Sequence, residues 1–245
     1  MKKHIGIIIL ALTAATAFGA DFSFSAGAGG ILNGIFTRYT LSADGVKDGN
    51  RIKINAGQEM NQLNYGYFIF FDATYGVFGV FHQGGRNKWH EPVSFSDTES
   101  SEMDGDGWES VLGLSLLGKY PFALAKKLIV FPMLGMDFEI CLKQQRTDDI
   151  KRVYDRPVRD TDKDGNPLLL SDWNSFMVKV GGGLDFMLFS NIFLRSEFLY
   201  SFRLMTSYER KNLDMIKSIS GDSKPKLGGL TSGPSVRISA GYRFL

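Results

Sequence analysis

The sequence predicts an all-β protein, an eight-stranded antiparallel transmembrane β-barrel with short turns at one end and four long outer loops at the other. Three observations lead there. Apolar and polar residues alternate with period two in segment after segment, the mark of strands with two chemically different faces. Short and long connections between these segments alternate strictly, as they do where tight turns lie on one side of a membrane and long loops on the other. The polar face also mixes charges of both signs with glycine. Glycine weakens a solvated strand, but a crowded, narrow interior needs it.

The chain opens on Lys2, Lys3 and His4, continues uncharged from Ile5 to Ala17, and reaches Ala17-Phe18-Gly19. A basic start, an apolar stretch below the ~20 residues of a spanning helix and small residues at the cleavage positions predict a signal peptide over 1–19. The alternative, a retained membrane helix, is disfavoured by the shortness of the stretch. The barrel domain is then 20–245. The formal charge of +2 is carried by Lys2 and Lys3, so the remaining chain is neutral and has no basic surface for nucleic acid. The single cysteine, Cys141, excludes an internal disulfide framework and cysteine-rich metal centres. It reads as a small buried filler. No cysteine follows the signal to carry a lipoprotein anchor.

The first strand is placed at 21–33, where Phe22, Phe24, Ala26 and Ala28 alternate with Ser23, Ser25, Gly27 and Gly29. The second and third, 63–72 and 75–85, are joined by little more than Ala73-Thr74. The fourth, 109–120, reaches the fifth, 128–142, through Pro121 to Lys127. In the fifth, Leu128, Val130, Leu134, Met136, Phe138 and Ile140 oppose Gly135, Asp137, Glu139 and Cys141. The sixth, 174–188, sets Phe176, Val178, Val180, Leu184, Phe186 and Leu188 against Lys179, Gly181, Gly183 and Asp185. After Phe189-Ser190-Asn191 the seventh, 192–204, sets Ile192, Leu194, Phe198, Tyr200 and Phe202 against Arg195, Glu197, Ser201 and Arg203. The eighth, 234–244, alternates Val236, Ile238, Ala240, Tyr242 and Phe244 with Arg237, Ser239, Gly241 and Arg243. The long connections 34–62, 86–108, 143–173 and 205–233 are predicted as outer loops, which leaves both termini on the periplasmic side.

Aromatics are expected to form two belts at the membrane–water interfaces. Phe22, Phe71, Tyr75, Tyr120, Phe122, Phe193, Tyr242 and Phe244 fall at the turn ends of their strands. Tyr65, Tyr67, Phe81, Phe138, Trp173, Phe176, Tyr200 and Phe202 fall at the loop ends. The polar faces place Asp137, Glu139, Lys179, Asp185, Arg195, Glu197, Arg203, Arg237 and Arg243 in the lumen. Mixed signs can pair there, which makes buried charge tolerable. The cluster reads either as an ion pathway or proton-linked gate, or as an ion-paired plug. The narrow interior of an eight-stranded barrel favours the plug.

With its signal peptide, eight strands and terminal strand, the whole mature chain resembles small outer-membrane barrels of the OmpX/OmpW type. Val236, Ile238, Ala240, Tyr242 and Phe244 resemble the C-terminal insertion signal of bacterial outer-membrane proteins, with Leu245 following where the aromatic is usually last. The segments Phe70-Phe71-Asp72-Ala73-Thr74-Tyr75-Gly76 and Leu114-Ser115-Leu116-Leu117-Gly118-Lys119-Tyr120-Pro121 look like turn motifs of an uncharacterised group of spirochaete outer-membrane barrels. The resemblance implies a surface protein of the outer membrane of a diderm bacterium and supplies no catalytic residues.

Other constellations read as bland. Asp160-Thr161-Asp162-Lys163-Asp164-Gly165-Asn166 opens like a calcium loop, but Ser171 stands where the bidentate Glu belongs. Asp104-Gly105-Asp106-Gly107 reads as turn chemistry. The connection over 143–172 carries seven basic and seven acidic residues and reads as a solvated loop, although loops are also where binding surfaces lie. His82 and His90 have no serine nucleophile motif for company. The expectation is therefore a protein with no catalysis, no cofactor and no metal. Its partners would be outer-membrane lipid, the barrel-assembly machinery and host or cell-surface ligands at the outer loops. The function classes, in order, are an interaction, adhesion or membrane-integrity protein acting through its outer loops, a narrow channel or transporter for small or apolar solutes, and a lipid-acting enzyme.

Overall fold

A strand with one apolar and one polar face must turn them toward different surroundings, and in this chain the polar faces close on one another. The computed structural model describes residues 23–95, 99–148, 153–156, 169–204, 206–221 and 224–244. The strands are β1 (Phe24–Lys47), β2 (Asn50–Ala73), β3 (Gly76–Phe95), β4 (Glu99–Lys119), β5 (Phe122–Ala125), β6 (Leu128–Asp148), β7 (Val153–Arg156), β8 (Ser175–Met187), β9 (Ile192–Arg203) and β10 (Lys226–Arg243). A 3-10 turn, Leu170–Trp173, precedes β8, and one helix, α1 (Ser207–Ser220), lies between β9 and β10. Pairing is antiparallel throughout, in the order β1-β2-β3-β4-β6-β8-β9-β10, and β10 pairs back onto β1. Eight strands thus close a ring, while β5 and β7 are short additions beside β6.

The two faces are sorted as the alternation predicts. Leu32, Leu63, Tyr67, Ile69, Leu116, Leu134, Phe198 and Ile238 are exposed on the outside. Asn33, Asn64, Gln83, Asp137, Lys179, Arg195, Glu197 and Arg237 are each 0–2% exposed on the inside. Such a distribution inverts that of a water-soluble protein and gives the ring the apolar exterior of a membrane barrel. No helix among the described residues is long and apolar enough to cross a membrane.

The outer connections are long, but much of their length is paired strand. β1 and β2 run 24 residues each, whereas ~9–11 suffice to cross the hydrocarbon. Their ladder continues without a break from Gly34↔Leu63 to Lys47↔Asn50 and turns at Asp48-Gly49, whose φ values are +52° and +80°. Asp-Gly is the pair a two-residue hairpin with φ > 0 at both positions demands. In the second connection β3 continues to Phe95, so Asp104-Gly105-Asp106-Gly107 is not a turn. It lies inside β4, opposite Asn87 to His90. Beyond the apolar belt an outward residue no longer has to meet lipid, so the hydrophobic alternation fades while backbone pairing goes on.

The fourth connection contains α1, a helix the period-two reading passed over. The Glu209 N–H donates to Thr206 Oγ1 at 3.3 Å and the Thr206 N–H donates to the Glu209 carboxylate at 2.7 Å, a capping box. Gly221, at φ +70°, ends the helix in the left-handed conformation that glycine adopts without penalty. Ile216 packs α1 onto Ala43 and Ile54 of the β1–β2 extension, and Lys47 Nζ donates to the Ser218 carbonyl at 2.9 Å. The signal peptide over 1–19, Phe22 and the carboxylates Asp160, Asp162 and Asp164 lie outside the described residues.

Aromatic placement needs one correction. Phe71, Tyr120, Phe122, Tyr242 and Phe244 face outward near the turns, and Tyr65, Tyr67, Phe176, Tyr200 and Phe202 near the outer end. Phe81 and Phe193, assigned to those belts, are instead 1% and 0% exposed inside the barrel. Each is in phase with the inward set of its strand, and each fits because a glycine faces it. A Cβ at Gly113 would overlap the Phe81 ring, and one at Gly241 the Phe193 ring. Trp173 sits in the 3-10 turn, half-buried at the outer mouth.

Candidate functional site

Strand register assembles the lumen. Asp185 of β8 stands directly opposite Arg195 of β9, Glu197 of β9 opposite Arg237 of β10, Asp137 of β6 opposite Ser115 of β4, and Glu139 of β6 opposite Ser175 of β8. Two charged layers result. Near the turns, Arg195 Nε is 2.6 Å from Asp185 Oδ1 and its Nη2 is 2.7 Å from Asp185 Oδ2. The same Nη2 is 2.6 Å from Asp72 Oδ2, which also takes Lys119 Nζ at 2.5 Å. Above, Asp137 Oδ2 meets Lys179 Nζ at 2.6 Å and Arg237 Nη2 at 3.1 Å, and its Oδ1 accepts from Ser115 Oγ at 2.6 Å. The Lys179 contact is one of charge rather than a directed hydrogen bond. Glu197 lies between the layers, 3.9 Å from Arg195 and 3.8 Å from Arg237.

Phenylalanines wall these cations. The Arg195 guanidinium lies 4.8 Å from the Phe70 ring centroid and 5.1 Å from those of Phe131 and Phe193. Arg237 lies 5.4 Å from Phe68 and 5.7 Å from Phe81. Desolvated charges are tolerable only when each finds such partners, and removing one partner strands the other.

Of the nine charged residues the sequence assigned to the lumen, six join this network: Asp137, Lys179, Asp185, Arg195, Glu197 and Arg237. Three stand apart. Glu139 accepts from Gln83 Nε2 at 3.2 Å and Ser175 Oγ at 3.0 Å, above the network. Arg203 lies at the outer mouth, with Nη2 2.9 Å from Glu209 Oε1 and 3.3 Å from the Tyr39 hydroxyl. Arg243 faces inward at the turn end, its buried Nε without a hydrogen-bond partner among the described residues. Asp72, Ser115 and Lys119 were missed, although each is in phase with inward neighbours (Asp72 with Phe68 and Phe70). The terminal-strand residues Val236, Ile238, Ala240 and Tyr242 share the outward face of β10, and Phe244, just past its end, is exposed as well.

Above the charges, at the outer mouth, lies a small cavity of about 60 Å³. Gln58, Gln62, Asn87 and Gln144 wall it with amides, and Trp89 and Trp173 with indoles. The first turn of α1 contributes Thr206 and Glu209. The ends of the outer hairpins carry exposed ion pairs. Arg51 donates to both Asp44 oxygens at 2.9 and 2.6 Å and holds that carboxyl below the usual carboxylate range. His90 Nδ1 lies 2.6 Å from Asp104 Oδ1, and that hydrogen bond holds the imidazole pKa above its ordinary value.

Among the described residues no hydrolytic triad is assembled. His82 Nε2 does approach Ser110 Oγ at 3.0 Å, beside the irregularity between Ser110 and Val111 in the β4–β6 ladder. No carboxylate is placed against the other ring nitrogen among the described residues, and the Tyr67 ring packs on the imidazole with centroids 5.5 Å apart. No group of His, Cys, Asp and Glu with metal-holding geometry occurs among the described residues.

No protein-family model and no curated protein matches the sequence. Solved structures with similar architecture are outer-membrane β-barrels. The outer membrane protein OprG of Pseudomonas aeruginosa aligns at 12% identity and TM-score 0.41, covering 91% of this chain and 95% of its own. Neisserial surface protein A aligns at 14% identity and TM-score 0.35, covering 91% and 98%. Ail of Yersinia pestis, the attachment invasion locus protein, aligns at 14% identity and TM-score 0.30, covering 89% and 99%.

Proposed function

We propose that the chain is an exported outer-membrane barrel of a diderm bacterium that works as a surface protein through its outer extensions, with a lumen closed to solutes and no catalysis. Residues 1–19 are the removed signal, residues 20–245 the barrel, and the outward face of β10 the signal read by the assembly machinery. The carrying observation is the cross-lumen network of Asp72, Lys119, Asp137, Lys179, Asp185, Arg195 and Arg237, whose side chains are at most 6% exposed. Every charge in it bridges to another strand, so opening a path would strand buried ions. The outer hairpins, by contrast, project far beyond the length the membrane requires, and loops held on a rigid scaffold are where binding surfaces lie.

The alternative, a narrow path for small or apolar solutes, requires that network to part. Swelling of proteoliposomes in an isosmotic sugar separates the two. A rate equal to that of protein-free vesicles is expected, and faster swelling overturns the closed-lumen reading. For the outer extensions, bacteria displaying the protein should adhere to host cells, and deleting 44–53 at the tip of the β1–β2 hairpin should lower adhesion. Adhesion unaffected by the deletion contradicts their role.

A further inference from the structure

Helix α1 lies over the outer mouth of the barrel. Its buried side carries Glu209, Ile216 and Ser220 at helical spacing. Ile216 packs on Ala43 and Ile54, which are in phase with the lumen residues Thr37 of β1 and Gln62 of β2. The helix therefore rests against the inside of the β1–β2 extension. Near its start the Glu209 carboxylate takes Arg203 Nη2 of β9 at 2.9 Å, and Lys211 Nζ reaches Asp172 Oδ2 of the 3-10 turn at 2.9 Å. α1 thus spans the rim from the β8–β9 side to the β1–β2 side. Beneath it is the small cavity of the outer mouth, walled by Thr206 and Glu209, by Trp173 of the turn, and by Gln62 and Glu139 of the barrel.

The fastenings of this helix are few. Lys211 and Arg203 keep 36% and 19% of their side chains in water, and ion pairs that water reaches are weak. The apolar contact consists of Ala43, Ile54 and Ile216, with Leu41 and Ile52 beside them. Lys47 adds one exposed hydrogen bond to the Ser218 carbonyl. The strands below are held by continuous ladders, whereas α1 ends on Gly221 at φ +70°, a conformation that glycine enters and leaves without penalty. An element held by few contacts over a rigid frame opens before the frame does. We infer that α1 is a lid on the outer mouth. It swings from the rim as a folded unit, the Arg203–Glu209 and Lys211–Asp172 pairs are its catch, and it controls access of small water-borne molecules to the inner face above the charged network. The inference goes beyond the surface-protein reading and does not depend on it, since a lid opens whether or not the lumen below conducts.

Cys141, the one cysteine of the chain, reports the opening. It is 5% exposed, stands two residues beyond Glu139 on the inward face of β6, and its N–H donates to Asn174 Oδ1 beside the 3-10 turn at 3.0 Å. The test uses the full mature protein in nanodiscs and a methanethiosulfonate bearing a permanently charged trimethylammonium, which does not cross lipid. Glu209→Gln removes the charge but keeps a capping side chain, and Lys211→Met keeps a good helix former. The double variant should label Cys141 about tenfold faster than the original, the effect of losing two weak pairs. Arg38→Gln, which breaks an exposed pair with Glu59 on the outward face, should leave the rate unchanged. With Cys141→Ser in place, nitroxides at Lys217→Cys and Asn55→Cys should give one distance in the original and a second, longer population in the double variant. Unchanged heat-modified mobility in SDS shows that the barrel is folded in each variant. A labelling rate or a distance unmoved by the double variant overturns the lid, as does equal acceleration by Arg38→Gln. Bilayer currents keep the two readings apart. Current steps in a fast-labelling double variant contradict only the closed lumen, and a silent, slow-labelling one contradicts only the lid.

Discussion

Arg195 grips Asp185 through two parallel hydrogen bonds, Nε to Oδ1 at 2.6 Å and Nη2 to Oδ2 at 2.7 Å, in a lumen where each side chain is at most 2% exposed. The contact is local in register, since the residues are directly paired across β8 and β9. It also ties the two sides of the barrel together, because the same guanidinium reaches Asp72 of β2. Bidentate geometry of this kind is the strong form of a charged pair.

Breaking one side of that pair should therefore cost far more than removing both. Arg195→Ala is expected to lower stability by roughly 3–5 kcal/mol, because it leaves the buried Asp185 uncompensated, and Asp185→Asn by less, because Arg195 keeps its contact with Asp72. Replacing both by leucine should cost less than the sum of the single changes. Urea unfolding in lipid vesicles, followed by tryptophan fluorescence, measures all three. Additive losses would contradict the coupling.

The glycine–phenylalanine fit inside the barrel gives a second prediction. Gly113→Ala forces a methyl into the Phe81 ring and should destabilise by about 1–3 kcal/mol, the usual cost of overpacking. Adding Phe81→Ala should recover most of the Gly113→Ala penalty, so the cycle shows a favourable coupling. A Gly113→Ala protein as stable as the original would show that the ring moves freely.

On the outer hairpins, the His90–Asp104 pair predicts a pH dependence. Asp104 holds His90 charged, so the folded pKa lies above the ordinary histidine value of about 6.5. The contribution of the pair is then fully present below that ordinary value and is lost as pH rises through the folded one. A histidine NMR titration should give a His90 midpoint above about 6.5, returned toward it by Asp104→Asn. A midpoint at or below the ordinary value in the unmodified protein would contradict the pairing.

Helix α1 should open independently of the barrel. Thr206→Ala removes the capping acceptor and should cost about 1 kcal/mol of local stability. Amide exchange over 207–220 should accelerate, while exchange in β8 and β9 stays unchanged. Acceleration spread evenly over the barrel would show that α1 is part of the global unfolding unit.

What the sequence made legible follows from where period two is enforced. Within the apolar belt each residue meets either lipid or lumen, so Val236 to Phe244 and Leu194 to Arg203 sort by parity alone, and the charged lumen residues were found that way. Outside the belt the enforcement ends, and strands continued unseen from Gly34 to Lys47 and from Arg86 to Phe95. The Asp48-Gly49 turn was a readable signal there, and so was the Thr206 to Glu209 capping box before α1. Phe81 and Phe193 lie at belt depth, but parity rather than depth decides which way a strand residue faces, and Phe193 is in phase with Arg195 and Glu197. Asp72 and Lys119 escaped notice because strand-end charges usually meet water. The pairing of β2 and β4 with β3 between them brings the two together, 2.5 Å apart although 47 positions separate them along the chain.

Conductance across a planar lipid bilayer measures whether the lumen is closed. With the intact protein inserted, as judged by its heat-modified mobility in SDS, the account predicts a silent bilayer with no discrete current steps. Reproducible, stable steps from the intact protein would contradict it, because they require an ion path through the layer where Arg195, Asp185 and Asp72 now meet.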